Sequence, residues 1–351
     1  MDLEVGASRS MRRDTSLQGS VMNFPRRRFL RLAAGAATLP AMPRLARAQS
    51  YPTRTVTVIV PFAAGGPTDV CTRIIGDHMS RTLGQQFIVE NVVGAGGTTG
   101  STRAMRATPD GYTIQMGQTG THAASVAVYP NLAYRPDVDF EPIGLVVVPP
   151  ILIVARKDFP ANDLKEFMAY ARANPDKLNM AHAGVGSITH FTGLLLNTML
   201  GIKPTLVPFT GSAPAINALV AGQVDYILDP PPDIVQQLYG GILKVYAIAS
   251  PTRSSILPDV PTTIEAGLPE FQVTSWYGLF APKGTPKPIL DKLTDALDAA
   301  LDNGIVRKRL LDLACDIPDK AERGQARLAA LVKSEIARWV PIIRAANVKT
   351  E

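Results

Sequence analysis

The sequence predicts an α/β protein of two lobes, and three observations support this fold class. Segments rich in β-branched residues alternate along the chain with segments of helical spacing, which is typical of a parallel sheet flanked by helices. The length of 351 residues exceeds that of a typical single domain of about 100–200 residues. No low-complexity linker separates the halves, so we expect the chain to cross between the lobes more than once.

Composition and charge exclude several classes of protein. Hydrophobic residues make up 46% and charged residues 19%, as in a folded globular protein. The net charge of +6 arises from nine arginines and three acidic residues in 1–48, since the remaining 27 basic and 27 acidic residues cancel. A neutral body has no electrostatic surface for phosphate backbones, so no nucleic-acid partner is expected. Two cysteines and four histidines without metal-ligand spacing predict neither a metal nor another cofactor.

Residues 1–48 have the features of a cleavable export signal. The Arg-Arg-Arg-Phe-Leu motif at 26–30 precedes a short apolar stretch, and Ala-Arg-Ala at 46–48 is a small-x-small cleavage signal. The paired arginines are similar to those of a twin-arginine signal. Residues 1–21 lack this character, and we interpret them as an extension upstream of the true start. We expect cleavage near Ala48 and a mature protein in a bacterial periplasm; the alternative is an amphipathic N-terminal helix.

The first part of the mature chain predicts three strands separated by glycine turns and helices. The strands are expected at 55–61, 87–93 and 112–116. A helix is expected from Pro67, because apolar residues recur at helical spacing until Gly84 ends it. The glycine turn at 94–100 leads into a second, shorter helix.

The strand–helix pattern continues downstream. Strands are expected at 151–155, 178–181, 205–208, 224–228 and 243–249, with a long β-like run at 271–281. Helices are expected to start at the cap Asn162 and near Ser187, Pro214 and Asp233, and two amphipathic helices close the chain at 286–303 and 322–345. The segments 148–155 and 275–281 are the candidates for crossing between lobes.

The turn after the first strand is the strongest candidate for ligand contact. Its candidate residues are Phe62, Ala63, Ala64, Gly65, Gly66, Thr68 and Asp69. Glycines let a backbone approach a ligand closely, and the N-terminus of the following helix suits an anion. The alternative is a tight structural turn in which Asp69 complements the helix dipole.

Three further motifs each have two possible interpretations, as ligand contacts or as structural turns and caps. The 94–100 turn lacks the third glycine of a dinucleotide motif and the lysine of a P-loop, so it is either an anion-binding turn or a plain one. In 184–190 the nucleophile-elbow pattern fails; Ser187 and His190 either face a ligand or Ser187 caps a helix. The segment 119–122 follows a strand end, which is where α/β sheets bind ligands. Its polar residues Thr119, Thr121 and His122 either contact a ligand there or form a polar turn.

Taken in order, the motifs resemble those of the Bug proteins, the periplasmic solute receptors of tripartite tricarboxylate transporters. The resemblance covers about 51–345 and is carried by Pro61-Phe62-x-x-Gly65-Gly66-x-x-Asp69, Glu90-Asn91-x-x-Gly94-Ala95-Gly96-Gly97, Pro109-Asp110-Gly111-Tyr112-Thr113, Gly184-x-Gly186-Ser187-x-x-His190, Val207-Pro208-Phe209-x-Gly211-x-x-Pro214-Ala215 and Gly222-x-Val224-Asp225.

This resemblance implies a two-lobed periplasmic binding protein of the Venus-flytrap, type II-like class. Lobe 1 would be 51–150 plus 275–351, and lobe 2 would be 151–274. The ligand would be a small carboxylate held by main-chain amides and hydroxyls. Besides the turn residues named above, the implied contacts are Gly186, Ser187, His190, Phe209, Gly211, Ser212 and Asp229. Val92-Val93 and Phe209-Thr210 depart from the family pattern, so no particular carboxylate is carried over.

We expect the protein to be a monomeric receptor that hands a carboxylate to a membrane permease of the tripartite tricarboxylate type. The alternatives are an exported hydrolase that uses Ser187 and His190, and a receptor that signals to a membrane sensor without transport. The hydrolase lacks a convincing third catalytic residue in the sequence. Cys71 and Cys315 would both lie in lobe 1, and we expect no required disulfide between them.

Overall fold

The structure is a computed structural model that describes residues 51–345. These residues form two five-stranded sheets flanked by helices, which confirms the α/β class and the two lobes. The export signal predicted in 1–48, its cleavage position near Ala48 and the extension at 1–21 lie outside the described residues. None of the helices in 51–345 is long and apolar enough to cross a membrane.

The first sheet contains strands from both ends of the described chain. Its strands are β1 (Val56–Val60), β2 (Phe87–Asn91), β3 (Thr113–Gln118), β4 (Phe140–Val147) and β10 (Tyr277–Pro282). Their order is β2-β1-β3-β10-β4. β1 pairs in parallel with β2 and β3, whereas β10 is antiparallel to both of its neighbours. The parallel pairing expected from the strand–helix alternation is present between β1, β2 and β3, but the sheet is mixed because β10 enters it from the other lobe in the opposite direction.

The second sheet is built from a continuous stretch of chain. Its strands are β5 (Leu152–Arg156), β6 (Asn179–His182), β7 (Thr205–Pro208), β8 (Tyr226–Asp229) and β9 (Leu243–Ile248). Their order is β7-β6-β8-β5-β9. β5 is antiparallel to β8 and β9, and the other pairs are parallel. We call the lobe that holds the first sheet the first lobe, and the other the second lobe.

Helices cover both sheets. They are α1 (Pro67–Leu83), α2 (Thr98–Met105), α3 (Ser125–Val128), α4 (Leu164–Ala173), α5 (Ile188–Leu200), α6 (Ser212–Val220), α7 (Val235–Tyr239), α8 (Lys287–Asp302), α9 (Gly304–Leu311), α10 (Lys320–Arg323) and α11 (Gln325–Ala345). Short 3-10 turns occupy Ala95–Gly97 and Pro231–Asp233, and a π-helical turn occupies Gly120–Ala124.

Two predicted elements differ from the structure, and one strand is not predicted. The cap of α4 is Asp163 and not Asn162, because the Asp163 carboxylate accepts from Glu166 N at 2.8 Å while Glu166 reaches back to Asn162 N, a reciprocal capping box. Strand β4 was not predicted, since its glutamate, proline and glycine interrupt the β-like pattern. Of the run at 271–281, only the part from Tyr277 onward is strand.

The chain passes between the lobes at two adjacent places, within or beside the predicted crossing segments. Isolated bridges join Val148 to Asp316 and Pro150 to Thr274 on either side of these passages. A third link is the end of α11, where the buried ring of Trp339 packs on Phe191 of α5 with ring centroids 4.8 Å apart. The two lobes are thus connected by two neighbouring passages of the chain and by the packing of α11 on α5.

Candidate functional site

A narrow cleft lies between the two lobes. The first lobe contributes Phe62, Gly66, Pro67, Thr68, Gln118 and Tyr277, and the second contributes Ala183, Ser187, Ile188, Thr189, Ser212 and Pro230. The space they enclose measures about 20 Å³, which is close to what one water molecule needs. The lobes therefore lie closed against each other.

Three helix N-termini meet at this cleft. Pro67 starts α1 in the first lobe, whereas Ile188 starts α5 and Ser212 starts α6 in the second. The first N–H groups of a helix have no partner within it and carry partial positive charge, so each end favours an anion. No charged side chain is among the described residues that line the cleft. The cleft therefore offers an anion amide donors and hydroxyls from both lobes.

Asp69 holds the α1 turn in shape. Its buried carboxylate accepts from Gly65 N at 2.9 Å, from Arg73 Nε at 2.8 Å and from Asn91 Nδ2 at 2.9 Å. Asn91 also donates to Phe62 O. Burial raises the pKa of Asp69, but the hydrogen bonds from Arg73, Gly65 and Asn91 outweigh it and the pKa is lowered. The carboxylate is thus ionised and fully engaged, which favours the structural interpretation of this residue.

The α5 turn is held by a second network. Ser187 Oγ accepts from His190 N at 3.3 Å and lies 3.0 Å from Thr189 Oγ1, which accepts from Ala183 N. Gly186 N donates to His190 Nδ1 at 3.1 Å. Burial, together with the nearby ring of His182, lowers the pKa of His190 to about 3, so it is neutral. Within the described residues the imidazole ring of His190 makes no hydrogen bond to the Ser187 hydroxyl, which is bonded by the backbone N–H of His190 instead, so the pair lacks the geometry of a nucleophile and its base.

The candidates Thr119, Thr121 and His122 are buried beneath the cleft and not on its wall. Thr119 Oγ1 accepts from Trp276 N at 3.0 Å, so it ties the π-helical turn to the segment that crosses between the lobes just before β10. Thr121 Oγ1 accepts from Gln118 N. The His122 ring stacks on Phe280 with centroids 4.1 Å apart, and burial lowers its pKa to about 3. The structure favours a polar turn that positions Gln118, whose side chain reaches the cleft.

Behind the α6 turn lies a buried pair of carboxyl groups. Ser212 Oγ donates to Asp229 Oδ1 at 2.6 Å. Asp229 Oδ2 and both carboxyl oxygens of Asp233 are buried without a hydrogen-bond partner among the described residues, although Asp233 as a whole is partly exposed. Burial, reinforced by the neighbouring Asp233, raises the pKa of Asp229 well above its ordinary range, and burial raises that of Asp233 to about 7. Ser212 lines the cleft whereas Asp229 lies behind it, bonded to the Ser212 hydroxyl.

Two glycine loops, 94–97 in the first lobe and 184–186 in the second, close the mouth of the cleft. In the first lobe Gly96 has a positive φ of 59°, and a Cβ atom there would overlap the carbonyl oxygen of Val185 in the second lobe. Tyr129 Oη donates to the same carbonyl at 2.7 Å. Ala63 N donates to Thr210 O at 3.2 Å across the same gap. Since these contacts join the lobes, the 94–100 turn serves in this structure as a contact between lobes.

The remaining candidates lie around this mouth. Phe209 lines an outer pocket of about 420 Å³ together with both glycine loops and Tyr129. Gly211 packs so closely on Ala63 that a Cβ atom would lie 2.8 Å from its nitrogen. Ala64 and Gly65 are exposed at the rim.

Sequence reasoning missed four cleft residues, Gln118, Ala183, Pro230 and Tyr277. Three others, Pro67, Ile188 and Thr189, lie within the predicted turns but were not singled out. Gln118 ends β3, so the rule that ligands bind at the carboxyl ends of strands could have found it. Tyr277 lies in a predicted crossing segment, which has to pass the base of the cleft. Among the described residues no group of three or more His, Cys, Asp or Glu side chains could hold a metal ion.

The comparisons with known proteins agree on one family. The family described as tripartite tricarboxylate transporter family receptor matches residues 71–348. MatC from Rhodopseudomonas palustris with bound malate is similar at 52% identity and a TM-score of 0.81, over 84% of this chain and 100% of that chain. The periplasmic binding protein BugD is similar at 42% identity and a TM-score of 0.83, over 86% and 100%. Rpa4515 of R. palustris with adipate is similar at 32% identity and a TM-score of 0.81, over 85% and 98%.

The contact between glycine loops predicts that Gly96→Ala props the lobes apart. The new Cβ would overlap Val185 O, and the strained backbone adds a cost of its own. The matched control is Gly84→Ala, which has a similar φ of 70° but nothing within 4 Å. Small-angle scattering should give a larger radius of gyration for Gly96→Ala alone. Equal radii for the two variants would contradict this interpretation of the loops.

The buried carboxyl pair predicts a stability that falls as pH rises. Because the pKa of Asp233 is raised from 3.8 to about 7, the folded protein binds more protons than the unfolded chain between these values. The contribution of Asp233 to the free energy of unfolding is therefore full below the lower value and declines toward the upper one, by at most about 1.4 kcal/mol per pH unit for this one group. Asp233→Asn should remove this decline, measured as the wild-type minus variant difference in urea unfolding at about pH 5 and about pH 7. A constant difference would contradict the burial of the pair.

Proposed function

Because the chain belongs to the tripartite tricarboxylate transporter family of receptors, we propose that it binds a small dicarboxylate in the cleft between its lobes and delivers it to a membrane permease. The membership confirms the resemblance predicted from the motifs, and it makes the chain a solute-binding receptor and not the alternative exported hydrolase. Relatives of 52% and 32% identity hold malate and adipate, which supports a dicarboxylate as the ligand here.

The observation that carries the proposal is the meeting of three helix N-termini in a cleft without charged side chains. One carboxylate would accept from the first amides of α1 and the other from those of α5 and α6, so that a single ligand joins both lobes. Hydrogen bonds to a charged group contribute about 1.5–3 kcal/mol each. A few such bonds support micromolar binding, about −8 kcal/mol, without an ion pair.

We propose that lobe 1 comprises 51–150 with 275–351 and that lobe 2 comprises 151–274. Residues 346–351 of lobe 1 lie outside the described residues. The strands that each sheet contains, and the bridges at Val148 and Pro150, support this division. The closed cleft is too small for a dicarboxylate, so the lobes have to rotate about the two adjacent crossings for the ligand to enter.

Proteins of this family are periplasmic binding proteins, and we propose that this chain reaches the periplasm through cleavage near Ala48. The proposed ligand-binding form is a monomer, in which the cleft is completed by residues of one chain. Its proposed partner is the permease of a tripartite transporter.

Calorimetric titration with malate tests the binding site. Gly66→Val should abolish binding, because the branched side chain would extend from the start of α1 toward Ser212 and Ala213, whose atoms lie 3.7–3.8 Å from its Cβ position. Gly66 has an extended backbone with φ −77° and ψ 171°, which a valine adopts without strain. The matched control is Gly324→Val, with φ −64° and ψ 169° and nothing within 4 Å of its Cβ position.

The control should bind malate as the wild type does, and both variants should unfold cooperatively. Near wild-type affinity in Gly66→Val would place the ligand elsewhere. Absence of binding in the wild type to malate, adipate and other small dicarboxylates would overturn the ligand class.

Variants of two helix caps distinguish an effect on ligand affinity from an effect on stability. Ser187 caps α5 at the cleft and Asp163 caps α4 away from it. Loss of either cap should cost about 1 kcal/mol of stability. Ser187→Ala should also weaken malate binding about tenfold, the effect of about 1.4 kcal/mol, whereas Asp163→Ala should leave affinity unchanged. Thermal unfolding and calorimetry on both variants check this, and an equal affinity in the two would remove Ser187 from the site.

A further inference from the structure

Two cysteine thiols meet inside the first lobe. Cys71 lies in α1 and Cys315 follows α9, and their sulfur atoms are 3.8 Å apart. Both residues are fully buried in the same apolar cluster, as free thiols. A disulfide needs sulfur atoms about 2.05 Å apart, so a small approach of α1 toward Cys315 would allow the bond.

The pair joins two functional parts of the molecule. Cys71 lies on the helix whose first residues, Pro67 and Thr68, line the cleft. Cys315 precedes Asp316, whose carbonyl accepts from Val148 N at 2.8 Å at one of the passages between lobes. A bond here would fix the start of α1, which lines the cleft, to the passage between the lobes at Val148.

The second lobe lies over this place in the closed form. The turn Pro231–Asp233 packs against α1, and Ala314 is buried in the apolar cluster of the second lobe. The pKa of the Cys315 thiol is raised well above its ordinary value by the contact with Cys71, by burial, and by the neighbouring carboxyls of Asp316 and Asp233. Since the thiolate is the reactive form, the closed protein keeps this pair inert.

We propose that Cys71 and Cys315 are a redox-active dithiol that closes to a disulfide when the lobes are open and is protected when a ligand holds them shut. The oxidant is a disulfide, either of a protein or of a small thiol. The thiolate of one cysteine attacks a sulfur of the oxidant disulfide, which gives a mixed disulfide and releases one thiol of the oxidant. The thiolate of the second cysteine then attacks the first cysteine's sulfur and releases the second thiol of the oxidant. Overall, the two cysteines lose two hydrogens and the oxidant disulfide becomes two thiols. The periplasm is an oxidising compartment in which such bonds persist. The protection by ligand rests on the proposed function, whereas the bond itself does not.

The test incubates the reduced protein with oxidised glutathione, with and without saturating malate, and follows the thiols by alkylation and mass spectrometry. Without malate we expect a peptide cross-linked between Cys71 and Cys315. With malate we expect its rate of formation to fall by about tenfold or more, because protection follows the population of the open form. Gly96→Ala, propped open, should oxidise faster than Gly84→Ala under the same conditions.

Several outcomes would overturn the proposal. Glutathione adducts on single cysteines without the cross-link, or no oxidation of the ligand-free protein, would refute the dithiol. Cys71→Ser and Cys315→Ser should each yield only an adduct on the remaining cysteine. A disulfide-linked dimer of either variant would show that these cysteines react between molecules, which would contradict an internal dithiol. Calorimetry on the same reduced sample separates the two hypotheses: binding heat without protection refutes the gating alone, whereas no heat with malate refutes the proposed ligand.

Discussion

The N-termini of α1, α5 and α6 converge on a single small space, and the chemistry of the cleft depends on this convergence. Their positive potential comes from backbone groups, so its position is set by the two sheets and not by flexible side chains. A space of about 20 Å³ has room for about one water molecule, and in such surroundings fixed dipoles act more strongly on an anion than they would in solution. The closed lobes and the positive potential of the three helix N-termini thus coincide at one place.

Charged and titratable side chains near the cleft have supporting roles. Asp69 is surrounded by donors and holds the α1 turn, while His190 is neutral and receives a backbone N–H. Among the described residues Asp229 has a single donor, the Ser212 hydroxyl, and the carboxyl of Asp233 has none, and their raised pKa values favour the uncharged form. Each of these groups is therefore arranged so that it neither pairs with nor strongly repels an anion in the cleft.

The parts of the site that depend on local sequence could be predicted. A strand, a glycine turn and a helix start lie within a few residues at Phe62–Asp69, and the same holds for Ser187, so both turns were found. Gln118 and Tyr277 were missed because they reach the cleft through pairing of strands far apart in sequence. Thr119 and His122 were proposed as ligand contacts because their position at a strand end is right, but a π-helical turn directs them into the interior. The mixed direction of the sheets was missed for a related reason, since spacing does not reveal the direction in which β5 and β10 enter.

The insertion of β10 between β3 and β4 also affects the order in which the chain acquires its structure. All strands of the second sheet lie between Leu152 and Ile248, so the second lobe can be completed from one continuous segment during synthesis. The first sheet cannot be closed until Tyr277–Pro282 has emerged and returned to strands made much earlier. Because pairing of distant segments slows folding, the lobe that carries the α1 turn is the later one to mature, and until then the unpaired inner edges of β3 and β4 are its most vulnerable surfaces.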